Sequence, residues 1–319
     1  MKIVIRKMRV EDIEDVKRVD AVAWDELIKR AYPELPRMTS RTDEGILSYL
    51  HSDQDGAMVA VEERAGVVGS CFSHIWGKTG WVGPLSVLSS FQGMGVGKEL
   101  LKSSLKYLEG KGCSDIGLET YSEVPMSVGM YLRAGLRPEG MIVILGKALS
   151  NHKPSPPSTT VSIERLSKSS SEQRVLASVK EISDALNPGL DYSGEVALTK
   201  KFSFGDTLVA KHEGNACGFS TVHTVMRRVD MAGSAVRCLG VMPGRDEAVL
   251  EELVSASEDL VAESGAPEIL IPVPGTRRRA LDLLMSRGYV VTQTLERMMW
   301  MGSSGLTAST GENLCSWSG

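Results

Sequence analysis

The residues with the clearest capacity for chemistry form a glycine-rich run at positions 92–98, Gln-Gly-Met-Gly-Val-Gly-Lys. This run follows a β-type segment, residues 81–88, and opens an amphipathic helix whose Leu101, Leu105 and Leu108 share one face. Glycines let a ligand approach the backbone closely, and the first N–H groups of a helix lack intrahelical partners. Because the positive end of the helix dipole points at the same place, the run predicts a binding site for a pyrophosphate.

Two common phosphate-binding motifs do not fit this run. A dinucleotide fingerprint needs a third glycine where Lys98 stands. A P-loop ending in Gly97-Lys98 needs glycine in place of Gln92 and Ser or Thr in place of Glu99. The pattern present is Gln-x-x-Gly-x-Gly, and a glycine-rich turn without any ligand is the alternative interpretation.

Two further segments carry side chains that can accept or donate a proton. Residues 114–121 alternate apolar and polar side chains, which predicts a strand with Glu119 and Leu118 on opposite faces. A short helix over residues 126–133 carries Tyr131 and ends at glycine, and another strand is predicted over 141–145. A carboxylate can accept a proton from an attacking amine, and a phenol can protonate a leaving group.

These segments resemble the two signatures of the GNAT superfamily of N-acetyltransferases. One is the glycine run preceded by Leu85-Ser86-Val87, and the other is Tyr131 placed four residues before Gly135-Leu136. The similarity covers residues 3–148 and implies that acetyl-CoA is the co-substrate. It also implies that the coenzyme is held by Leu85, Ser86, Val87, Gln92, Gly93, Met94, Gly95, Val96, Gly97 and Lys98.

The resemblance implies catalytic roles as well. Tyr131 would protonate the departing thiolate, Glu119 would take the amine proton directly or through a water, and the N–H of Val87 would polarise the thioester carbonyl. Each side chain has a simpler alternative, Tyr131 as a core residue and Glu119 as a solvated strand end. Val124, followed by Pro125, departs from the family at a position where an asparagine often holds the pantetheine arm.

The acceptor is less well specified than the coenzyme. Residues 24–34 occupy the place of the family's substrate-covering helices. Trp24, Glu26 and Tyr32, together with Tyr121, would suit a cationic amine such as a peptide N-terminus, a polyamine or an amino sugar. An ordinary amphipathic helix with exposed charges is the alternative.

Composition narrows the functional classes. The chain has 319 residues, 42% hydrophobic and 24% charged, which suits two globular domains. Its formal net charge of −4 gives no indication of nucleic-acid binding, and no apolar run approaches membrane-spanning length. The five cysteines lack metal or disulfide spacing, so we expect a cytoplasmic protein without a bound metal.

The two halves of the chain look alike. Gly69 and His74 are echoed by Gly218 and His223, and similar echoes recur at an offset near one hundred and fifty residues. We therefore predict an α/β (α+β) fold of two tandem GNAT-like domains, each a mostly antiparallel mixed sheet flanked by helices. Their expected bounds are 1–149 for the catalytic domain, 150–160 for a Pro/Ser linker, 161–301 for the second domain and 302–319 for a flexible tail.

The second copy lacks the predicted chemistry. Asp246 and Glu247 follow Gly244-Arg245 where a diphosphate would lie, and Leu284 replaces the tyrosine. We therefore expect one working site, in an N-acetyltransferase that moves an acetyl group to a small-molecule or peptide amine by direct attack in a ternary complex. The alternative is a non-catalytic acyl-CoA-binding protein that regulates a partner.

Overall fold

The computed structural model of the protein describes residues 2–34, 37–154, 156, 158, 160–229, 233–244, 246–302 and 311–316. The helices are α1 Ile13–Ala31, α2 Asp43–Ser52, α3 Val96–Gly110, α4 Pro125–Arg133, α5 Glu172–Leu186, α6 Ser193–Lys201, α7 Asp246–Ser264 and α8 Arg278–Ser286. The strands are β1 Ile3–Lys7, β2 Met58–Glu62, β3 Gly66–Trp76, β4 Thr79–Val87, β5 Asp115–Thr120, β6 Arg137–Ala148, β7 Val161–Arg165, β8 Gly205–His212, β9 Asn215–His223, β10 Ser234–Val241, β11 Glu268–Pro274, β12 Val290–Met301 and β13 Glu312–Cys315.

The described strands form one continuous sheet. Its order is β1-β2-β3-β4-β5-β12-β6-β11-β10-β9-β8-β7, with β13 added beside β10. The pairs β4–β5 and β10–β11 are parallel and the remaining pairs are antiparallel. The predicted mixed α/β fold with two tandem copies is thereby confirmed.

Helix α3 forms where the leucine periodicity predicts it. Leu101, Leu105 and Leu108 are at most 4% exposed and pack in one core cluster with Val68 of β3 and Val82 of β4. Burying such side chains contributes about 1.5–3 kcal/mol each, so the packed face fixes the helix against the sheet. This packing holds the N-terminus of α3 at the end of β4.

The two copies correspond in detail. Gly69 of β3 pairs with Val87 of β4, and Gly218 of β9 pairs with Val241 of β10 in the same way. The turn after α4 is closed by a hydrogen bond from Leu136 N to Tyr131 O, and the turn after α8 by one from Tyr289 N to Leu284 O. Leu284 therefore occupies the place of Tyr131, as the sequence spacing predicts.

The last long strand of each copy pairs with the other copy, an arrangement we call the strand exchange. β6 belongs to the first copy by sequence, yet its partners are β11 and β12 of the second. β12 in turn pairs with β5 of the first copy. The predicted domain bounds of 1–149 and 161–301 stay a prediction, but they do not predict this exchange, because the pattern of a strand does not identify its neighbour and equivalent strands of the two copies can take each other's places.

The tail also differs from the sequence prediction. A flexible segment is predicted from Gly302 onward, but β13 pairs with Cys238–Val241 of β10, and Leu314 and Cys315 are fully buried. Burial of the apolar pair Leu314 and Cys315 stabilises this strand, although the Ser- and Gly-rich composition around it predicted fraying. The rest of the predicted tail, residues 303–310 and 317–319, lies outside the described residues.

The predicted linker, residues 150–160, has no helix or strand among its described residues. Near its start, the imidazole of His152 lies 2.6 Å from Asp259 Oδ1, and Leu149 N donates to Pro267 O at 2.9 Å. These contacts hold the start of the linker against the second copy.

Candidate active site

A cavity opens where two parallel strands separate. β4 and β5 pair only from Thr79 with Asp115 to Trp81 with Gly117. Beyond these residues β4 stays beside β3 while β5 continues beside β12, so the strands diverge. The resulting cavity has a volume of about 660 Å³ and is lined by residues of both copies.

The glycine-rich loop lies at one end of this cavity. Gly93 and Gly95 have positive φ angles of 76° and 84°, and a Cβ atom built on either would meet no heavy atom within 4 Å. Helix α3 has no side-chain cap, and its first intrahelical donor is Glu99 N, which bonds to Gly95 O at 3.0 Å. The earlier N–H groups of the helix therefore face an open cradle that fits a pyrophosphate.

Gln92 and Val87 connect the loop to the strand that lines the cavity. Gln92 Nε2 donates to Val87 O at 3.1 Å, so this side chain holds the loop on β4. Leu88 N donates to Val68 O of β3 at 3.0 Å. Because successive N–H groups of a strand point to opposite edges, we infer that the N–H of Val87 points into the cavity.

Tyr131 lies in the cavity wall on α4. Its side chain belongs to a core cluster with Cys71 and Leu136, and the residue is 9% exposed. Burial, and to a smaller extent the neighbouring thiol of Cys71, raises the pKa of Tyr131 above its ordinary value of 10. The phenol therefore keeps its proton at neutral pH and can donate a hydrogen bond into the cavity.

Glu119 reaches the cavity wall, but its carboxylate is fully engaged. Oε1 accepts hydrogen bonds from Arg297 Nε at 3.0 Å and Arg297 Nη2 at 2.6 Å, and Oε2 accepts one from Ser316 Oγ at 2.6 Å. Burial alone would lower the pKa of Arg297, but the charge of Glu119 raises it. This geometry gives both oxygens of Glu119 protein donors, and its predicted general-base role stays a prediction. It also shows that the alternative of a solvated strand end is wrong, since the Glu119 side chain is 0% exposed.

The predicted acceptor residues cluster around Tyr121, and we call this part of the cavity the acceptor end. The ring of Tyr121 packs edge-on against Trp24 at 6.1 Å and against Tyr32 at 6.0 Å. Trp24, Glu26 and Tyr121 line the cavity, whereas Tyr32 lies behind Tyr121 and donates to Glu123 at 3.1 Å. Glu26 Oε2 is buried and has no hydrogen-bond partner among the described residues.

Four arginines that the sequence analysis did not single out line the same end of the cavity: Arg41, Arg227, Arg228 and Arg237. The strand-like bridge between Arg41 and Arg228, with the bond from Thr42 N to Arg227 O at 3.0 Å, draws the two copies together there. The Arg227-Arg228 doublet just after His223 is a visible sequence signal, but Arg41 and Arg237 lie in unrelated segments.

Two histidines that recur in the repeat are buried beside these arginines. Burial, followed by the charge of Arg237, lowers the pKa of His74 from 6.5 to about 4. Burial and Arg227 also lower the pKa of His223 well below its ordinary value. Both rings are therefore neutral at pH 7 and add no charge to this end of the cavity.

A diverging parallel strand pair, a glycine-rich loop opening the next helix and a tyrosine on the following helix define a GNAT acetyltransferase fold. Residues 21–136 match the model of the acetyltransferase (GNAT) family. This part of the first copy is therefore similar to the GNAT family, whose members are enzymes that transfer acetyl groups from acetyl-CoA.

Solved structures resemble the chain over nearly its whole length. A putative acetyltransferase from Pyrococcus horikoshii aligns at 18% identity and a TM-score of 0.69, covering 99% of this chain and 95% of its own. A GCN5-related N-acetyltransferase from Sphaerobacter thermophilus aligns at 14% identity and a TM-score of 0.63, covering 93% and 95%. A tandem GNAT protein from the clavulanic acid biosynthesis pathway aligns at 14% identity and a TM-score of 0.61, covering 95% and 100%. These likenesses show the two-copy fold, and no curated protein sequence gives a significant match.

Two structural features are absent from the described part of the chain. It has no group of three or more His, Cys, Asp or Glu side chains arranged to hold a metal ion. None of its helices is long and apolar enough to cross a membrane.

Proposed function

We propose that this protein is an acetyl-CoA-dependent N-acetyltransferase with a single working site, in the first copy. The observation that carries the proposal is the open glycine cradle at the start of α3, which leads into a cavity lined by Tyr131 and by acceptor-facing aromatic residues. Acetyl-CoA supplies the thioester, and its pyrophosphate is the ligand that the cradle suits.

The residues of β4 and α4 would act on the thioester. The N–H of Val87 donates to the carbonyl oxygen as negative charge develops there. Tyr131, kept protonated by its surroundings, donates a hydrogen bond or its proton to the sulfur as the C–S bond breaks. The acetyl group then leaves on the amine, which loses one proton in the exchange.

Glu26 is the carboxylate we assign to the amine. Glu26 lines the cavity and its buried Oε2 has no hydrogen-bond partner among the described residues, in contrast to Glu119, whose oxygens are bound by Arg297 and Ser316. We propose that Glu26 binds the acceptor amine and accepts its proton directly or through a water, while Glu119 positions β5 against β12.

The second copy would not bind the coenzyme. β13 pairs with Cys238–Val241, the segment equivalent to the one in β4 that ends at Val87. The chain's own strand thus covers the edge along which a pantetheine arm would lie. Leu284, at the place of Tyr131, has no proton to donate.

The proposal is tested by titrating the full chain with acetyl-CoA in a calorimeter and by following thiol release with a panel of amines. We expect one coenzyme per chain and amine-dependent thiol release. Gly97→Glu should abolish coenzyme binding, because a carboxylate at the cradle repels a diphosphate. Gly97 has a helical φ, and its Cβ would meet Met130 Sδ at 3.4 Å, so the fold can accept the change.

Gly110→Glu is the matched control, since Gly110 is exposed at the other end of α3 and a Cβ there meets nothing within 4 Å. Two equivalent sites, or unchanged affinity in a folded Gly97→Glu variant, would overturn the proposal. Coenzyme binding without any thiol release would favour the non-catalytic acyl-CoA binder instead, a role that the Val124-Pro125 departure leaves open.

A further inference from the structure

Among the described residues, the acceptor end of the cavity has more arginine side chains than carboxylates paired with them. Arg41, Arg227, Arg228 and Arg237 have side chains that are at most 12% exposed. Two buried carboxylates pair with these four guanidinium groups. Asp20 pairs with Arg41 at 3.1 Å and with Arg228 at 2.9 Å, and Glu195 pairs with Arg237 at 3.0 Å and with Arg227 at 3.1 Å.

The two carboxylates lie behind the arginines. All four arginines line the cavity, whereas neither Asp20 nor Glu195 does. His74 and His223 are neutral, and Glu119 is matched by Arg297. The surface presented to a ligand at this end is therefore cationic, with Glu26 as the carboxylate that faces the same space.

Arg227 and Arg228 are the least compensated members of the cluster. Burial lowers the pKa of both, and the nearby charge of Arg41 lowers them further, although Glu195 and Asp20 act in the opposite direction. Within the described residues, Arg227 donates to Glu195, and Arg228 to Thr39 O at 2.6 Å besides its ion pair with Asp20. A guanidinium has five N–H donors, so both retain donors for a ligand.

Buried cations without full compensation are costly unless an anion completes the site. The planar fork of arginine matches the geometry of a carboxylate or a phosphate. We propose that the acceptor is an amine that also carries an oxyanion group, and that Arg227 and Arg228 bind this group. The inference rests on the proposed acetyltransferase function and names the substrate class of that same site.

The opposite charges of the site then match the two ends of such an acceptor. Glu26 faces the amine, and the arginines face the oxyanion. The guanidinium of Arg228 lies 5.7 Å from the ring centre of Trp24, which is two residues before Glu26 on α1. An α-amino acid or a phosphorylated amine has this pattern, whereas a polyamine, with cations alone, would be repelled.

The first test uses the wild-type chain and pairs of substrates that differ only in the oxyanion. Amino acids are compared with their amides, and phosphoethanolamine is compared with ethanolamine. We expect kcat/KM to fall at least about tenfold when the oxyanion is removed, as for the loss of a charge-assisted hydrogen bond. The two arms distinguish a carboxylate from a phosphate. Equal rates for charged and neutral members of both pairs would overturn the inference.

The second test uses Arg227→Gln and Arg228→Gln, with Arg227→Lys as the variant that keeps the charge. KM for the oxyanion-bearing acceptor should rise at least about tenfold, while KM for its amide should stay unchanged. Arg174→Gln, an exposed arginine on α5, is the control. Calorimetry with acetyl-CoA reports on the fold and on the coenzyme site separately.

The outcomes separate the two proposals. Normal acetyl-CoA binding, with equal losses for the acid and its amide in both variants, would overturn the role of the arginines alone. Wild-type protein that binds no acetyl-CoA would overturn the proposed function and this inference with it. Arg227→Lys should recover part of the lost affinity for the oxyanion, since it restores the charge without the fork.

Discussion

Two carboxylates reach the cavity, and their surroundings differ. Glu119 accepts hydrogen bonds on both oxygens and its side chain is 0% exposed, whereas Glu26 has a buried oxygen without a partner among the described residues. Glu119 is thus a member of a buried ion pair, whereas Glu26 is the carboxylate that we propose to bind the amine. Mutating each of them distinguishes these roles.

Glu119→Gln should lower the free energy of unfolding by about 3 kcal/mol, because it leaves the fully buried Arg297 without a counter-charge. Glu26→Gln should leave stability nearly unchanged and raise KM for the amine. Urea unfolding and steady-state kinetics measure the two effects. A stable Glu119→Gln protein whose pH–rate profile moves to higher pH would show instead that Glu119 is the base.

Tyr131→Phe should lower kcat while leaving the affinity for acetyl-CoA nearly unchanged. In the proposed mechanism the phenol acts on the departing sulfur, and general-acid contributions span about a hundredfold to ten-thousandfold. We expect the low end, because burial raises the pKa of Tyr131 and makes it a weaker acid than an exposed tyrosine. Single-turnover rates measure the change. If the Tyr131→Phe variant keeps full turnover with every active amine, Tyr131 is only a packing residue.

At the scale of elements, β13 is a short strand whose residues, with the one that follows, contact both copies. Leu314 lies in the core of the second copy, and Cys315 O accepts a hydrogen bond from Arg297 Nη2 at 3.0 Å. Ser316, just after the strand, reaches Glu119. The end of the chain therefore supports both the second core and the wall of the first copy's cavity.

Leu314→Ala should destabilise the protein by about 2–5 kcal/mol, the cost of a cavity in a packed core. Met285→Ala is a suitable comparison, since Met285 is 52% exposed on α8 and should change stability by much less. Denaturant titration of both variants gives the difference. A Leu314→Ala protein as stable as the wild type would mean that β13 is not held on β10.

The elements that sequence patterns could predict are those with a local signal. The leucine period predicts α3, the alternation around Glu119 predicts β5, and the glycine loop predicts the coenzyme end of the cavity. The partner of β6, the order of β13 and the ion pair of Glu119 with Arg297 depend on residues far apart in the chain. The arginine cluster could not be predicted from the sequence for the same reason, because Arg41 lies beside Arg228 only after the two copies have packed together.

For the whole molecule, the buried histidines predict a loss of stability in mild acid. His74 has a folded-state pKa of about 4 against an ordinary value of 6.5, and the pKa of His223 is lowered as well. The unfolded chain therefore binds more protons in this range. The stabilisation is complete above about pH 6.5 and is lost as the pH falls towards 4.

Each of these histidines should contribute a slope of up to about 1.4 kcal/mol per pH unit within that range. Urea unfolding at several pH values measures the slope. It should decrease in His74→Gln and stay unchanged in His212→Gln, which alters a partly exposed histidine at the end of β8. A stability that stays flat between pH 6.5 and 4 would contradict the neutral, buried state of both rings.

The strand exchange determines when the strands of this protein can pair during its synthesis. Glu119 and its partner Arg297 are separated by 178 residues, so β5 leaves the ribosome long before β12 exists to cover it. Such distant pairings fold slowly and expose unpaired edges in the meantime. The copy that carries the coenzyme loop completes its sheet only with strands of the other copy, so a chain cut short during synthesis has no finished cavity. The finished cavity is in this way confined to molecules in which β12 has been translated and paired.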